Sequence, residues 1–456
     1  MARGFISGDR NQLLLLPPSV DQWVPRNHMV RFILETVRQM DLTAFYNSYA
    51  SEGAPPYDPE MMLSVLIYAY CRGKRSSRKI AKSCEEELPY RWLTVNKTPD
   101  HCAIARFRAR HEGLMKKVFS EVLCLCAEVG LVKVGEVFLD GTKVKANASL
   151  CANRTLDRLN KEIEKMLEEA KARDEEEDRR HGPTRRGDEL PEDLEDPASR
   201  LARLKEAKER LAAKAEAERE EQEKKIRDRE KEEEETGRKK RGRKPKDPAD
   251  AVDEERKANV TDPDSRIMKT RRGYLQGFNA QAVVTKNQII LGAEVTREEN
   301  DLHQLEPMIR ETKESLVEAG IDKPIKTCTA DTGYWKDDLP LQDIERDGLK
   351  LLIAVKKDRK QREQCREEES SPRGRIPDNA TPRERMERRH RTQWGKALYK
   401  LRGQTVEPVF GQIKAGMGIY GFLRRGLRAV QSEWKLICAC HNLMKLLRAF
   451  RVVVTP

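Results

Sequence analysis

Two short stretches of the chain place a carboxylate where chemistry on a phosphate would need one. In the first, Val137, Phe138 and Leu139 lead to Asp140, and Gly141 follows. In the second, Ile325 to Ala330 leads to Asp331, with Gly333 two residues on. Apolar or β-branched runs closed by glycine predict buried strands. Each aspartate is therefore expected at a strand end, with Gly141 turning the chain. Carboxylates that converge on rigid elements suit a hard divalent cation with open positions for water and a phosphate oxygen. A further carboxylate is expected from a helix packed over the sheet, and Glu407 fits that place. Its neighbours Val406, Val409, Phe410 and Ile413 define an apolar face, on which a carboxylate must meet a cation. Arg402 and Lys414 flank it within reach of a bound phosphate.

Each of these residues also has a plainer reading. A single aspartate after a strand is more often a turn or cap residue; the repeated context, together with Glu407, favours catalysis. Lys143 and Lys145 are surface lysines or, on alternate positions after Asp140, contacts to one DNA strand. Trp335 is a core side chain or a platform for an unstacked base. His303 and His441 are expected to pack or cap. Glu298, Glu299, Asp337 and Asp338 are acidic but less well placed.

The elements that would position the carboxylates follow in order. Tyr274 to Thr285 and Gln288 to Thr296 predict a hairpin turning at Lys286-Asn287. A helix is expected over 301–319, the Asp331 strand next, a short helix near 339–347 and a strand over 349–355. Residues 359–391, charged and punctuated by proline, predict a mobile loop. Helices over 396–414 and 432–450 close the chain. Strand, insertion, hairpin, helix, strand, helix, strand and helices make an α/β fold of the ribonuclease-H-like kind, a mixed sheet with flanking helices. It would occupy 131–154 and 261–456, with Asp140 and Asp331 on adjacent central strands.

Residues 1–130 predict an all-α DNA-binding domain. Its helix after Thr98-Pro99-Asp100 projects Arg106, Arg108 and Arg110, as a helix-turn-helix reader requires. Residues 155–260 predict a charged helical hairpin, a coiled-coil-like arm inserted into the catalytic domain. The arm ends in a basic tract whose Arg241 and Arg243 either enter an A·T-rich minor groove or tether to phosphate; the tract resembles an AT-hook.

Composition agrees with a nucleic-acid partner. Lys and Arg number 89 against 77 Asp and Glu, a net charge of +12, and phosphate neutralisation with counterion release drives such binding. No apolar run approaches the roughly 20 residues that cross a membrane, and the N-terminus lacks the build of a signal peptide. A cytoplasmic protein is expected, with no membrane partner and its ten cysteines reduced, as small core residues.

The stretches LDGTKVKANAS (Asp140), TADTGYW (Asp331) and TVEPVFGQIK (Glu407), with YDPEMMLSVLIYAYCRGKRSSRKIA near the N-terminus, resemble the bacterial insertion-sequence DDE transposases, close to insertion sequence family 1182. The resemblance covers nearly the whole chain outside the charged insertion. It implies that Asp140, Asp331 and Glu407 hold two Mg2+ (or Mn2+) ions. It also implies that one site cuts the element's ends and joins them to target DNA, and that a homodimer pairs the ends at the nucleoid. Tyr399, Arg402, Glu407 and Lys414 resemble the Tyr-Arg-Glu-Lys signature of such enzymes. Four residues separate Arg402 from Glu407 where the pattern usually has three. Two other readings remain: a nuclease on this fold that cuts without joining, and a catalytically inactive DNA-binding derivative.

Overall fold

One strand, β1 (Glu136–Lys145), organises the sheet. A computed structural model of the chain describes residues 19–49, 55–155, 157–166, 197–236, 257–270, 273–337, 339–346, 348–356 and 380–454, with a few isolated positions between them. Seven further strands are described: β2 (Asn153–Thr155), β3 (Lys257–Asn259), β4 (Arg266–Thr270), β5 (Gly273–Thr285), β6 (Ile290–Thr296), β7 (Thr327–Ala330) and β8 (Lys350–Ile353). β1 pairs antiparallel with β5, from Val137 against Thr285 to Lys145 against Gly277. On its other edge it runs parallel to β7, which runs parallel to β8. β4 and β6 both pair antiparallel with β5. This is the mixed sheet that the element order predicts. The hairpin is present too, with β6 starting at Ile290 because Gln288 takes the left-handed conformation at φ 63° in the turn.

Helices cover the sheet. The N-terminal part contributes α1 to α8: Val20–Trp23, Met29–Arg38, Thr43–Tyr46, Pro59–Cys71, Ser77–Glu86, Leu88–Leu93, His101–Arg110 and Met115–Glu128. Asp58 caps α4 by accepting from the Glu60 amide, with Pro59 in the first turn, and Asp100 caps α7 from Ala103. In α4 every residue but Glu60 is buried, as a helix apolar all round demands. Between α5 and α7 lies α6, so the basic helix α7 follows α6 across residues 94–100. After β6 come α10 (Leu305–Glu318) and α11 (Leu341–Ile344), numbered to follow α9 (Pro197–Thr236) of the insertion; α12 (Pro382–Arg391), α13 (Gln393–Gly411) and α14 (Leu427–Val454) close the chain. α14 packs on α8, α4 and β6 at once, so the N-terminal helices and the sheet share one hydrophobic core.

The insertion forms a separate small core. Leu159 and Ile163, on helical residues 157–166, pack with Leu204, Ala207 and Leu211 of α9 (Pro197–Thr236) and with Ala258. β2 and β3 pair antiparallel at its base, Asn153 against Asn259. Two helical segments of the insertion thus pack on each other. The basic tract carrying Arg241 and Arg243 lies outside the described residues.

α12 replaces part of the expected loop. Thr381 and Glu384 form a reciprocal capping box, with Pro382 in the first turn, and this start signal outweighs the charged composition. In α13, Pro408 sits inside the helix. Its missing N–H leaves the Gln404 carbonyl without its helical donor, and Gln288 Nε2 donates to that carbonyl at 3.3 Å. His441 is buried against the Gln288 carbonyl at 3.0 Å, the packing role expected of it.

Burial lowers the basicity of His111, His390 and His441, each to about 4. An unfolded ring gains its proton as pH falls below about 6.5, whereas the folded one resists until about 4. Stability is therefore complete above the unfolded value and is lost as pH falls towards 4. Denaturant unfolding at pH 5 is expected to show a loss of about 2 kcal/mol per ring relative to pH 7.5. His441→Gln should remove one ring's share, and a stability unchanged between the two pH values would refute the assignment.

Candidate active site

β1 and β7 bring the two aspartates into register. Phe138 pairs with Thr329, and Asp140 and Asp331 each stand two residues beyond that pair. β1 does not end at Asp140 as expected; it runs on through Gly141 to Lys145. Glycine is needed at 141 for space rather than for a turn. A Cβ there would lie 2.3 Å from Gln281 Nε2, 2.6 Å from Asp301 Oδ1 and 2.9 Å from Asn279 Oδ1. Asp331 closes its strand as expected, and its Oδ1 accepts from the Gly333 amide at 2.9 Å.

Arg402, from α13, is the cation between them. Its Nη2 lies 3.0 Å from Asp140 Oδ2 and 3.5 Å from Asp331 Oδ2, with a side chain 5% exposed. Burial pushes the Asp140 carboxyl up to about 7, the Arg402 guanidinium opposes that, and Asp331 adds to it. Asp140 Oδ1 accepts from the Gly141 amide at 2.9 Å. Lys414, in the turn after α13, donates to Thr142 Oγ1 at 2.5 Å. Thr142 shares the face of Asp140, since alternate residues of a strand point the same way. Desolvation lowers the Lys414 ammonium below its ordinary range.

A carboxylate that sequence reasoning passed over sits on the other side. Asp301, in the segment after β6, accepts at Oδ1 from Asn279 Nδ2 (2.7 Å) and Gln281 Nε2 (2.6 Å). Its charge is among those that raise Asp140, and a Cβ on Gly333 would lie 3.2 Å from its Oδ2. The available signal was Asn279 and Gln281 on alternate positions of β5, amides on one face aimed at one acid. Gly141→Ala is expected to push this cluster apart, costing about 1–3 kcal/mol as overpacking does. Thermal unfolding and DNA cleavage of that variant should both fall; a variant as stable and active as wild type would show the space is not needed.

The other residues singled out in the sequence are distributed as follows. Glu407 is exposed, not among the buried side chains of its helix. Five residues of helix carry it about 140° around the axis from Arg402, whereas Val406 and Val409 stay on the arginine's side. Tyr399 is buried edge-on against His390, and Trp335 is buried with Nε1 on Asp337, so neither offers a stacking or DNA-facing surface here. Arg108 does not project: its guanidinium is tied to Tyr70, the Arg75 carbonyl and Ser77. Arg106 is exposed, as is Arg110, which lies over the Tyr49 ring. Lys143 reaches the Lys269 carbonyl at 2.7 Å. Lys145 is exposed and lines a groove of about 730 Å³ with Tyr274 and Arg425. By strand alternation both lysines face away from Asp140.

Oxygen donors in register on two adjacent strands, with a buried carboxylate costly to ionise unless a cation is near, fit Mg2+ or Mn2+ in chemical type. Among the described residues no group of three or more acidic, His or Cys side chains is already gathered closely enough to hold a metal ion.

Two family models match the chain. The Transposase domain (DUF772) matches residues 18–110, and the Transposase DDE domain matches residues 255–443. The chain belongs to the insertion-sequence DDE transposases. Asp140 lies outside both matched ranges, and the sheet is what joins it to Asp331. No match is found among curated proteins or among solved structures. Among the described residues, no helix is long and apolar enough to cross a membrane.

Proposed function

We propose that this transposase, of the family 1182 type, binds the terminal inverted repeats of its insertion sequence, cleaves there and transfers the strands into target DNA. The observation that supports this most is the pair of aspartates in register on adjacent parallel strands, bridged by one buried arginine. Asp140 and Asp331 would hold Mg2+ or Mn2+, two ions in all, with a third carboxylate from Glu407 or Asp301. Bound there, the ions supply an activated oxygen nucleophile and stabilise the leaving oxygen in phosphoryl transfer. Arg402 keeps both aspartates oriented and offsets their mutual repulsion. Lys414 presents a desolvated ammonium on the Asp140 side, suited to a phosphate oxygen. Exposed Arg106, Arg110 and Lys145 and half-buried Lys143 would contact backbone phosphates, as would Arg241 and Arg243 of the basic tract. Pairing of two DNA ends calls for a homodimer, acting in the cytoplasm at the nucleoid.

The test is incubation of purified protein with Mg2+ and a DNA carrying the element's own flanking ends, alongside a target plasmid. Cut ends joined to the plasmid are the expected products. Nicked or cut DNA without joined product would favour a nuclease on the same fold, and binding without any cut an inactive derivative.

A further inference from the structure

At the far end of the sheet from Asp140 lies a second groove, of about 720 Å³. Lys133, Lys286, Lys326 and Lys350 line it, with Trp394 and one carboxylate, Glu136. All four lysines are exposed, and among the described residues none makes an ion pair. Trp394, in the first turn of α13, is 40% exposed, a large aromatic facing solvent.

Their backbones are held as a row. The Lys350 amide donates to the Lys326 carbonyl at 2.8 Å, and the Lys326 amide to the Gly135 carbonyl at 3.1 Å. Asn287 Nδ2 donates to the Leu131 carbonyl at 3.0 Å, tying the turn that carries Lys286 to the segment that carries Lys133. Four like charges fixed in one concavity repel each other, and one glutamate does not balance them. The N-terminus of α13, a 19-residue helix, adds positive potential to the same place.

We propose that this groove binds the phosphodiester backbone of a DNA duplex. The inference rests on the transposase reading above. Lysines spaced along strand ends meet successive phosphates, and Trp394 supplies a flat surface for a sugar or an exposed base face. From Glu136, at the groove, to Asp140 the strand spans roughly 13 Å. The DNA held here is therefore a segment away from the scissile phosphate, and its role is anchoring.

The test is the quadruple variant Lys133→Ala, Lys286→Ala, Lys326→Ala, Lys350→Ala. Its affinity for a random-sequence duplex of about 30 bp is measured between about 50 and 200 mM salt. Loss of about 0.9 in the logarithmic salt slope per lysine predicts a slope lower by roughly three to four. Thermal unfolding unchanged from wild type would show that the variant is folded, and Trp394→Ala should weaken binding without altering the slope. Cleavage at saturating DNA should persist, because the carboxylate end is untouched. A quadruple variant with wild-type slope and affinity overturns the groove and leaves the transposase reading standing. A wild-type protein that neither binds the duplex nor cuts overturns both.

Discussion

Asp140→Asn and Asp331→Asn are each expected to slow cleavage of an end-bearing duplex by about a thousandfold, the scale seen when one group stabilising developing charge is removed. Binding of that duplex should be retained. Each substitution keeps the shape and takes one negative charge away from an approaching phosphate. Folding should also survive at position 140. Burial already drives that carboxyl towards its neutral form at about 7, so a neutral amide is no stranger to the site. Single-turnover cleavage with Mg2+, beside a gel-shift of the same DNA, checks both halves. Either variant cutting at the wild-type rate would remove its aspartate from the chemistry. The same assay separates two candidates for the third carboxylate. Glu407 rides the helix of Arg402 but is exposed, whereas Asp301 is clamped by two amides. Glu407→Gln and Asp301→Asn, run together, identify it as the one whose loss matches Asp140→Asn.

The largest stability effect is expected at Glu433→Ala, at about 3–5 kcal/mol in urea unfolding. Glu433 is fully buried, and its Oε1 pairs with Arg75 Nη1 at 2.7 Å. Its oxygens also accept from the amides of Leu423 and Arg424. Arg75 stands ahead of α5, Glu433 on α14, and residues 423–424 on the loop beside the end of β1, where Phe422 donates to the Lys145 carbonyl at 2.7 Å. Removing the acid leaves Arg75 buried without its counter-charge and two amides without an acceptor. A double replacement of Arg75 and Glu433 by apolar residues of similar volume should cost much less, because no buried charge remains. A single variant within 1 kcal/mol of wild type, about the worth of an exposed pair, would refute the account.

The sheet was legible because its strands are short apolar runs broken by turns, and because β1 and β7 repeat one plan. The reading slipped where a residue's reason lay across space. Gly141 looked like a turn, although Thr142 and Val144 continue the alternation; what requires glycine is a cluster donated by β5 and the segment after β6. The sequence neighbours of Glu407 point to a buried face, yet the extra residue after Arg402 rotates it by about 100° relative to the usual spacing. Asp301 looked like the start of a helix, and only the fold brings it to Asn279 and Gln281. The arginines of α7 carry no mark in sequence that separates Arg108, which clamps the fold, from Arg106, which faces water. α12 is legible in Thr381-Pro382 with Glu384, a capping box whose start signal outweighs the charge of the segment.

The clasp of β2 and β3 bears on how the chain finds its fold. The central strand must meet β5 across the whole inserted arm, a closure that would otherwise slow the search. Because helical residues 157–166 and α9 pack on each other locally, the two ends of the arm can be drawn together before the sheet assembles. Lengthening a loop costs only about 0.6 kcal/mol per doubling in any case. The arm is thus a region where length can be gained or lost at small thermodynamic expense, while the carboxylates keep their register.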